Sequence, residues 1–360
     1  MITWFVALAT WVLGTATLLP TLPFASGFVR VCDFPRLQIG AAALLLLALT
    51  VSLVPVSPAF WGITAVQAAI LAVQAAICLR FTPLHRTQSE AHRASEPSAG
   101  SVKILTANVK QSNRDFARLI RQIDEHVPDI LLLMEVDRLW LDALAEIRAR
   151  YPFRIEQPQE NSYGMVVCSQ LELIEPEILF RVLHEVPSAR AIVALPSGER
   201  FRLHVLHPEP PVPYEDTLGR DSEVILVARD VEADSLPAVV AGDLNDVAWS
   251  RTTRRFQRLS GLLDPRVGRG LYNTFDARTV LLRWPLDHLF HDKRFRLVAM
   301  RRLPDIGSDH FPMLFEIALT PRAAADDAPG APTADDRSEA REVTRDAAAL
   351  DRKAIGSDWE

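Results

Sequence analysis

Cysteine is scarce in this chain of 360 residues, and Cys32, Cys78 and Cys168 lie far apart. No CxxC motif or Cys/His cluster has metal-ligand spacing, so the sequence predicts neither a disulfide framework nor a zinc site. Net positive charge is also missing, because 45 acidic residues exceed 39 basic ones and give a net charge of −6. Proteins that coat nucleic acid by bulk electrostatics are usually basic, so the composition argues against that class. An enzyme that meets phosphate at a single site remains compatible with it.

Charge is almost absent before Arg80, where the chain has three long apolar stretches. They cover Ile2–Leu22, Leu37–Val54 and Phe60–Leu79, and each approaches the roughly 20 residues that a helix needs to cross a bilayer. A cleaved signal peptide is the alternative for the first stretch, but it lacks a basic n-region and two further stretches follow it. We therefore predict a three-span transmembrane region over residues 1–80.

The basic residues near these stretches predict the orientation of the spans. Arg30 and Arg36 lie in the first connection and three arginines lie within residues 80–93, whereas the second connection, residues 55–58, has no charge. Loops rich in Lys and Arg stay in the cytoplasm. The N-terminus is therefore predicted outside and the large domain inside.

The rest of the chain divides into three predicted regions. Residues 81–100 are polar and are predicted to form a flexible linker. Residues 101–320 have the size of a single enzyme domain. Residues 321–360 are rich in Ala, Asp and Arg with few large apolar groups, so we predict a disordered tail.

Strands and helices alternate in the predicted domain. Residues 102–109 and 129–136 are short apolar runs typical of buried strands, and residues 115–126 between them have the period of an amphipathic helix. The other predicted elements are helices over 139–151 and 221–233, and strands over 164–169, 190–195, 201–207, 238–242, 283–291 and 311–318. This pattern predicts an α/β fold with two sheets packed face to face and helices outside.

Five of the apolar strands end in an acid, an amide or a histidine. These residues are Asn108, Glu135, His207, Asp243 with Asn245, and Asp309 with His310. One such ending would be an ordinary turn, because Asn and Asp begin turns routinely. Strand ends are also where a rigid scaffold presents catalytic groups, and five polar endings in one domain favour that interpretation.

Asp243 and Asn245 lie two residues apart, so in an extended segment both side chains point to one side. A carboxylate and an amide that face the same way can hold a hard cation and a phosphate oxygen together. Oxygen ligands such as these and Glu135 suit Mg²⁺ or Mn²⁺ better than zinc. A simple Asx turn at the strand end is the alternative for residues 243–245.

An acid and an imidazole are adjacent at Asp309 and His310, and Asp287 supplies a second acid. A histidine held by a carboxylate can take a proton from water near neutral pH. A surface turn with incidental charges is the alternative, because Asp-His pairs are common.

Taken together, the segments 105–108, 133–136, 242–245 and 308–310 resemble the motifs of the endonuclease/exonuclease/phosphatase superfamily, in the family's order. The resemblance covers roughly residues 102–319. It implies a four-layer sandwich of two β-sheets flanked by helices, preceded here by three transmembrane helices, with the site at one rim.

The resemblance also implies a role for each polar strand-end residue. The residues implied to hold Mg²⁺, or Mn²⁺, are Asn108, Glu135 and Asp309. The residues implied to act on the phosphate or on the attacking water are His207, Asp243, Asn245, Asp287 and His310. Asp287 would orient His310, and either His310 or Asp243 would activate the water.

Segments 161–165, 207–211 and 283–288 resemble bacterial members of the superfamily that carry N-terminal membrane spans, which favours a bacterial inner membrane. The expected substrate is a phosphate mono- or diester, either lipid or nucleotide, and the lipid bilayer is the expected partner. A membrane-tethered nuclease and a non-catalytic membrane scaffold are the alternatives. No basic DNA-contacting segment is apparent, so no stable nucleic-acid partner is expected; the sequence leaves the oligomeric state open.

Overall fold

The computed structural model describes residues 1–322 and 328–358, and its strands form two sheets. The strands are β1 (Gly100–Asn108), β2 (Ile130–Met134), β3 (Phe153–Gln157), β4 (Met165–Ser169), β5 (Glu172–Leu179), β6 (Ser188–Ala194), β7 (Arg200–Leu206), β8 (Ala238–Asp243), β9 (Asp287–His291), β10 (Phe295–Arg302) and β11 (Met313–Leu319). The six-stranded sheet has the order β10-β11-β1-β2-β4-β3, and the five-stranded sheet has the order β5-β6-β7-β8-β9.

Helices cover the outer face of each sheet. The helices of the domain are α5 (Phe116–His126), α6 (Arg138–Ala143), α7 (Ala145–Ala149), α8 (Leu218–Ala233), α9 (Arg251–Ser260) and α10 (Ala334–Ala347). Side chains of β1 alternate between two apolar clusters: Ile104 packs between the sheets, and Leu105 packs with Leu119 of α5. The outer face of the second sheet packs against α8 and α9 in the same way. The predicted four-layer α/β sandwich is therefore confirmed.

Sequence patterning missed four elements within residues 101–320. β5 is largely exposed at the edge of its sheet, so its burial does not alternate. Strands β3 and β10 and helix α9 were also missed, and the helix predicted over 139–151 is interrupted at Leu144, between α6 and α7. Tertiary contacts decide such segments more than local propensity does.

Three N-terminal helices are long and apolar enough to cross a membrane, close to the predicted boundaries. They are α1 (Ile2–Leu18, extended by a 3₁₀ turn to Thr21), α3 (Arg36–Leu53) and α4 (Pro58–Leu79). Gln67 of α4 donates hydrogen bonds to Thr10 of α1 at 2.9 Å and to Thr50 of α3 at 3.0 Å. Polar side chains that bridge helices in this way stabilise the packing of membrane bundles.

The connection between α1 and α3 docks on the α/β domain. It contains the short helix α2 (Gly27–Val31), and Gly27 donates a backbone hydrogen bond to Glu215. A Cβ at Gly27 would lie 1.7 Å from the carbonyl oxygen of Val212, so only glycine allows this approach. Arg30 forms a buried ion pair with Asp221 at 3.1 Å.

The segment predicted as a flexible linker is packed against the domain instead. Phe81 is buried with Trp249, and the side-chain oxygen of Gln88 accepts hydrogen bonds from Gln257 and from the backbone of Asp264. Ser89 lies 2.7 Å from the imidazole of His291. The linker's polar composition is explained by these buried hydrogen bonds, whose partners lie far away in the sequence.

The predicted disordered tail also differs from the structure, within the residues that are described. Helix α10 begins with a capping box formed by Thr333 and Asp336, and its small apolar face, Ala340 and Val343, packs on α8 and α9. Glu339 and Asp336 form ion pairs with arginines of α9. Composition did not predict this helix because it has few large apolar residues. A narrow apolar face is nevertheless sufficient to order a helix that packs on the folded surface of α8 and α9. Residues 323–327 and 359–360 of the predicted tail lie outside the described residues.

We expect Val343→Asp to release α10 from the domain. Losing the burial of the valine side chain alone costs about 1.5–3 kcal/mol, and the new carboxylate would be buried without a partner. Hydrogen–deuterium exchange of the α10 amides should accelerate, while exchange in β1 and β8 stays slow. Ser338→Asp, on the exposed face of the same helix, is the matched control. Unchanged protection of α10 in the Val343 variant would contradict the packing described here.

Candidate active site

The polar strand ends converge because of how the strands pair. β1 and β2 are parallel neighbours in one sheet, and β7 and β8 are parallel neighbours in the other. Parallel neighbours end at the same edge, and the two edges face each other across the sandwich. This edge, called the catalytic rim below, therefore collects Asn108, Glu135, His207 and Asp243.

Asn108 connects the two sheets at the catalytic rim. Its Nδ2 donates to Glu135 Oε1 at 2.7 Å and to Asp243 Oδ2 at 3.1 Å. Glu135 also accepts a hydrogen bond from the backbone of Gln111. Burial raises the pKa of Glu135, although the Asn108 and Gln111 hydrogen bonds oppose the shift. A buried carboxylate in this position is an effective ligand for a cation, because a cation would stabilise its charged form.

A second chain of contacts joins His310 to two acids of the other sheet. His310 Nδ1 lies 2.8 Å from Asp287 Oδ2, and His310 Nε2 lies 3.4 Å from Asp243 Oδ2. Burial alone would lower the pKa of His310, but Asp243 and Asp287 outweigh it and raise the pKa to about 10. The proton is therefore held on His310 between the two carboxylates. The orienting role expected of Asp287 is compatible with this geometry.

His207 and Asn245 flank Asp243. His207 Nε2 is 3.9 Å from Asp243 Oδ2, and the ring of Tyr163 packs against the imidazole at 5.5 Å. Burial lowers the pKa of His207 to about 4 despite the nearby Asp243, so this histidine is neutral. Asn245 donates its side-chain amide to the carbonyl oxygen of Pro208 at 2.9 Å.

Asp309, the third predicted metal ligand, is engaged in an ion pair. Its Oδ2 lies 2.7 Å from Lys110 Nζ, and the backbone N–H of Lys110 in turn donates to Asn108 Oδ1. Lys110 was not identified from the sequence, although it lies only two residues after Asn108. The sequence predicted a metal ion beside Asp309. In the structure, the positive charge next to this carboxylate is the ammonium group of Lys110.

The backbone at the catalytic rim is locally strained. Lys110, Glu135 and Asn245 have φ angles of +57°, +61° and +50°, in the left-handed region that non-glycine residues rarely adopt. Strain of this kind concentrates at functional sites, where the surrounding structure holds it in place. All three residues follow strand ends that sequence reasoning singled out.

The donors of the catalytic rim fit a divalent cation. The ligand atoms of Asp243, Asp287 and His310 lie within 4.8 Å of one another, and Glu135 is linked to Asp243 through Asn108. Because His310 is protonated, the carboxylates are the groups of this cluster that can bind a cation. Asp287 Oδ1 is buried and has no hydrogen-bond partner among the described residues. Buried oxygens with unmet negative charge are the ligands that Mg²⁺ and Mn²⁺ prefer. Of the three residues predicted to hold the metal, only Asn108 and Glu135 are joined directly.

Two other histidines of the domain are structural. His288 is buried between Arg266 and the carbonyl oxygen of Asp246, and its ring stacks on Phe290. His204 is buried in β7, away from the catalytic rim. Phe275 was missed by sequence reasoning, and its ring lies 4.9 Å from that of His310. An isolated aromatic residue in a loop gives no sequence signal for such a contact.

The sequence profile of the Endonuclease/Exonuclease/phosphatase family matches residues 105–310, which is more than half of the chain and includes each strand-end residue described above. The chain belongs to this family. Its members are metal-dependent phosphoester hydrolases. A comparison with curated proteins finds no match.

Solved structures with the same fold include humanized D. rerio TDP2, which is 18% identical with a TM-score of 0.50 and is matched over 60% of this chain and 98% of its own. D. rerio TDP2 complexed with a single-strand DNA product is 17% identical, with a TM-score of 0.50 over 61% of this chain and 99% of its own. The human Nocturnin catalytic domain with a bound sulfate anion is 16% identical, with a TM-score of 0.50 over 62% and 96%. At these identities the likeness establishes the fold.

Glu135→Gln should weaken binding of Mn²⁺, used as a probe for the site, because it removes a charged oxygen ligand while preserving shape. Loss of supporting groups around a metal typically lowers affinity roughly 10- to 100-fold, and loss of a ligand should cost at least as much. Isothermal titration of the full chain in detergent would measure the dissociation constant. Glu160→Gln, the same change at an exposed residue, is the control. Equal affinities in the two variants would remove Glu135 from the site.

Proposed function

We propose that this protein is a membrane-tethered, Mg²⁺-dependent phosphoesterase that hydrolyses a phosphate mono- or diester carried by a membrane lipid. The observation that carries the proposal is the hydrogen-bonded cluster at the catalytic rim, in which Asn108 and His310 connect acids of both sheets. A scaffold that had lost its chemistry would have no reason to keep these acids buried together at one edge of the sandwich.

Glu135 and Asn108 would hold the divalent cation, together with the nearby acids of the cluster. When bound, the cation would act as a Lewis acid that neutralises charge on the phosphoryl oxygens. Asp309 would complete the ligand set if Lys110 moves to the phosphate, and Lys110 would then serve as a second positive charge.

Asp243 is the group that we assign to the attacking water. Burial raises the pKa of Asp243, with His310 and His207 opposing the shift, so its carboxylate is a stronger base than an exposed aspartate. The charged His310 lies 3.4 Å from Asp243 and can donate a hydrogen bond to the phosphoryl group. Asp287 keeps the imidazole in this orientation through Nδ1.

His207 and Asn245 would bind the phosphate. Neutral His207 has an unpartnered Nδ1 within the described residues and can donate from one ring nitrogen. Asn245 is fixed through Pro208, which leaves its second amide hydrogen for an oxygen of the substrate. Preorganised donors of this kind stabilise the charge that develops during phosphoryl transfer.

The three apolar helices support the proposal that the phosphate is carried by a membrane lipid. Three apolar helices precede the domain, and the loop between the first two packs directly on it. The N-terminus and the α3–α4 turn would therefore lie on one side of a bacterial inner membrane, and the domain would lie on the cytoplasmic side. This arrangement agrees with the distribution of arginines.

We predict that His310→Ala and Asp287→Asn reduce turnover through one shared function. Loss of a preorganised hydrogen-bond donor to the reacting group typically costs roughly 100- to 1,000-fold, and the double variant should be no slower than His310→Ala alone. The assay is Mg²⁺-dependent hydrolysis of bis(p-nitrophenyl) phosphate and p-nitrophenyl phosphate by the full chain, with EDTA as the blank. If the losses multiply, the pair does not work as a unit. Full activity in EDTA would reject the metal-dependent mechanism.

The proposed topology predicts opposite labelling of two single-cysteine variants. Val56→Cys lies in the α3–α4 turn and Ser95→Cys lies beside the catalytic domain, and both positions are exposed. A membrane-impermeant maleimide added to intact spheroplasts should label position 56 and spare position 95 until the membrane is permeabilised. Labelling of position 95 alone in intact spheroplasts would place the domain outside and the substrate in the outer leaflet.

A further inference from the structure

A closed loop at the catalytic rim, residues 276–283, carries an apolar tip. The ends of the loop are joined by backbone hydrogen bonds between Thr274 and Trp284 and between Asp276 and Leu282. Thr279 Oγ1 also donates to the carbonyl oxygen of Leu282 at 2.7 Å. The loop is therefore a compact structure of its own, although it contributes little to the core.

The tip consists of three consecutive aliphatic side chains exposed to the surroundings. Val280 is 79% exposed, Leu281 is 81% exposed and Leu282 is 49% exposed. Single exposed apolar residues are ordinary, but a contiguous group at a loop tip marks a surface that contacts something apolar. Transfer of such side chains from water into an apolar phase is favourable in proportion to the apolar area that leaves water.

The same loop touches the membrane helices. Gln38 in the first turn of α3 donates a hydrogen bond from Nε2 to the carbonyl oxygen of Leu281 at 2.6 Å. Phe34, just before α3, packs edge-to-face on Trp284 with ring centroids 5.6 Å apart. Helix α3 has 18 residues and is about 27 Å long, barely the thickness of the hydrocarbon core. Its first turn must therefore lie at the boundary of that core, and the tip beside it lies at the same depth.

The base of the loop touches the active site. The backbone N–H of Ala277 donates to the carbonyl oxygen of Asp309 at 2.8 Å, and the ring of Phe275 packs against His310. The loop of eight residues, 276–283, thus contacts both the first turn of α3 and Asp309, which is a predicted metal ligand.

Arginines border the tip on the side of the active site. The guanidinium groups of Arg283 and Arg302 both lie over the ring of Phe311, at 5.0 Å and 4.5 Å from its centroid. Neither guanidinium forms an ion pair within residues 1–322 and 328–358; Arg283 donates to the carbonyl oxygen of Ala277 at 3.2 Å and Arg302 to that of Asn273 at 2.7 Å. Positive charge beside an exposed apolar tip matches an anionic membrane surface, where acidic headgroups lie next to hydrocarbon.

We propose that the 276–283 loop inserts Val280, Leu281 and Leu282 into the headgroup–acyl boundary of an anionic bilayer, so that the catalytic rim opens at headgroup depth. This inference rests on the part of the proposed function in which α1, α3 and α4 span a membrane. It fixes the substrate class as a phosphoester in the headgroup layer. Amphipathic segments at such a boundary bury their apolar face by about 5–10 Å.

The depth of position 281 tests the proposal. Leu281→Cys would be labelled with an environment-sensitive fluorophore in the full chain carrying Cys32→Ser and Cys78→Ser, since Cys168 is buried. The protein would be reconstituted at one copy per nanodisc of phosphatidylcholine and phosphatidylglycerol. We expect a blue-shifted emission, loss of fluorescence with lipids brominated near the top of the acyl chain, and little loss with aqueous iodide.

Two control positions distinguish the outcomes. Leu45→Cys, exposed in the middle of α3, reports whether the helices are embedded, and Val127→Cys, exposed at the opposite end of β2, reports an aqueous site. If Leu45 is quenched by brominated lipid but position 281 behaves like position 127, the loop inference is overturned while the membrane anchor stands. If Leu45 is not quenched, the membrane anchor itself fails. A position 281 shielded from iodide without lipid quenching would indicate a protein contact and would also overturn the inference.

Polar substitution of the tip provides an independent result. The combined change Val280→Ser, Leu281→Ser and Leu282→Ser should leave Mg²⁺-dependent hydrolysis of bis(p-nitrophenyl) phosphate within about twofold of the parent, because the tip does not touch the reacting groups. The same variant, labelled at Arg278→Cys next to the tip, should lose the lipid quenching that the parent shows at that position. Retained quenching at position 278 would show that the apolar tip does not hold the loop in the bilayer.

Discussion

The two sheets are held in register at the catalytic rim by two side chains that cross between them. Asn108 joins Glu135 of its own sheet to Asp243 of the other, and His310 joins Asp243 to Asp287. Apolar packing between sheets tolerates small shifts, because it is not directional. Hydrogen bonds between buried polar groups do not tolerate them, since an unpaired partner costs roughly 1–3 kcal/mol. The spacing of the sheets and the geometry of the chemistry are therefore fixed by the same contacts.

Buried charges connect this rim to the membrane region. Arg30 of the inter-span loop pairs with Asp221, which also pairs with Arg220, and Arg220 donates to the backbone oxygen of Asn245. Burial opposes ionisation of Asp221, but Arg220 and Arg30 lower its pKa to about 2. Removing one partner of a buried pair typically costs about 3–5 kcal/mol, because the other charge is left unpaired. The loop that carries Asn245 is thus linked, through Arg220 and Asp221, to Arg30 in the connection between α1 and α3.

The sequence was sufficient to predict which residues lie close together where their positions follow from strand pairing. Asn108, Glu135 and Asp243 could be predicted because each follows an apolar run, and parallel neighbours bring such ends together. The Lys110–Asp309 pair could not be predicted, since side-chain pairing between residues 199 positions apart leaves no local pattern. The prediction of a disordered tail failed for a related reason. Arg352 forms an ion pair with buried Glu209, and composition alone cannot reveal a partner so distant in the sequence. Contacts that depend on docking are invisible to periodicity.

In the proposed function, the contacts of the N-terminal helices with the domain favour a lipid substrate over a polymer. The connection between α1 and α3 contacts Asp221, Trp249 and Trp284. In sequence, Asp221 comes after β7, Trp249 comes after β8 and Trp284 comes before β9, and these strand ends lie at the catalytic rim. In the proposed membrane arrangement, the active site opens on the side of the domain that faces the bilayer. A duplex would have to run between this rim and a surface whose headgroups repel its phosphates, and Debye screening over about 8–10 Å would not remove that repulsion at close approach. A headgroup phosphate is already in that layer, so it needs only to reach the cluster around Asp243.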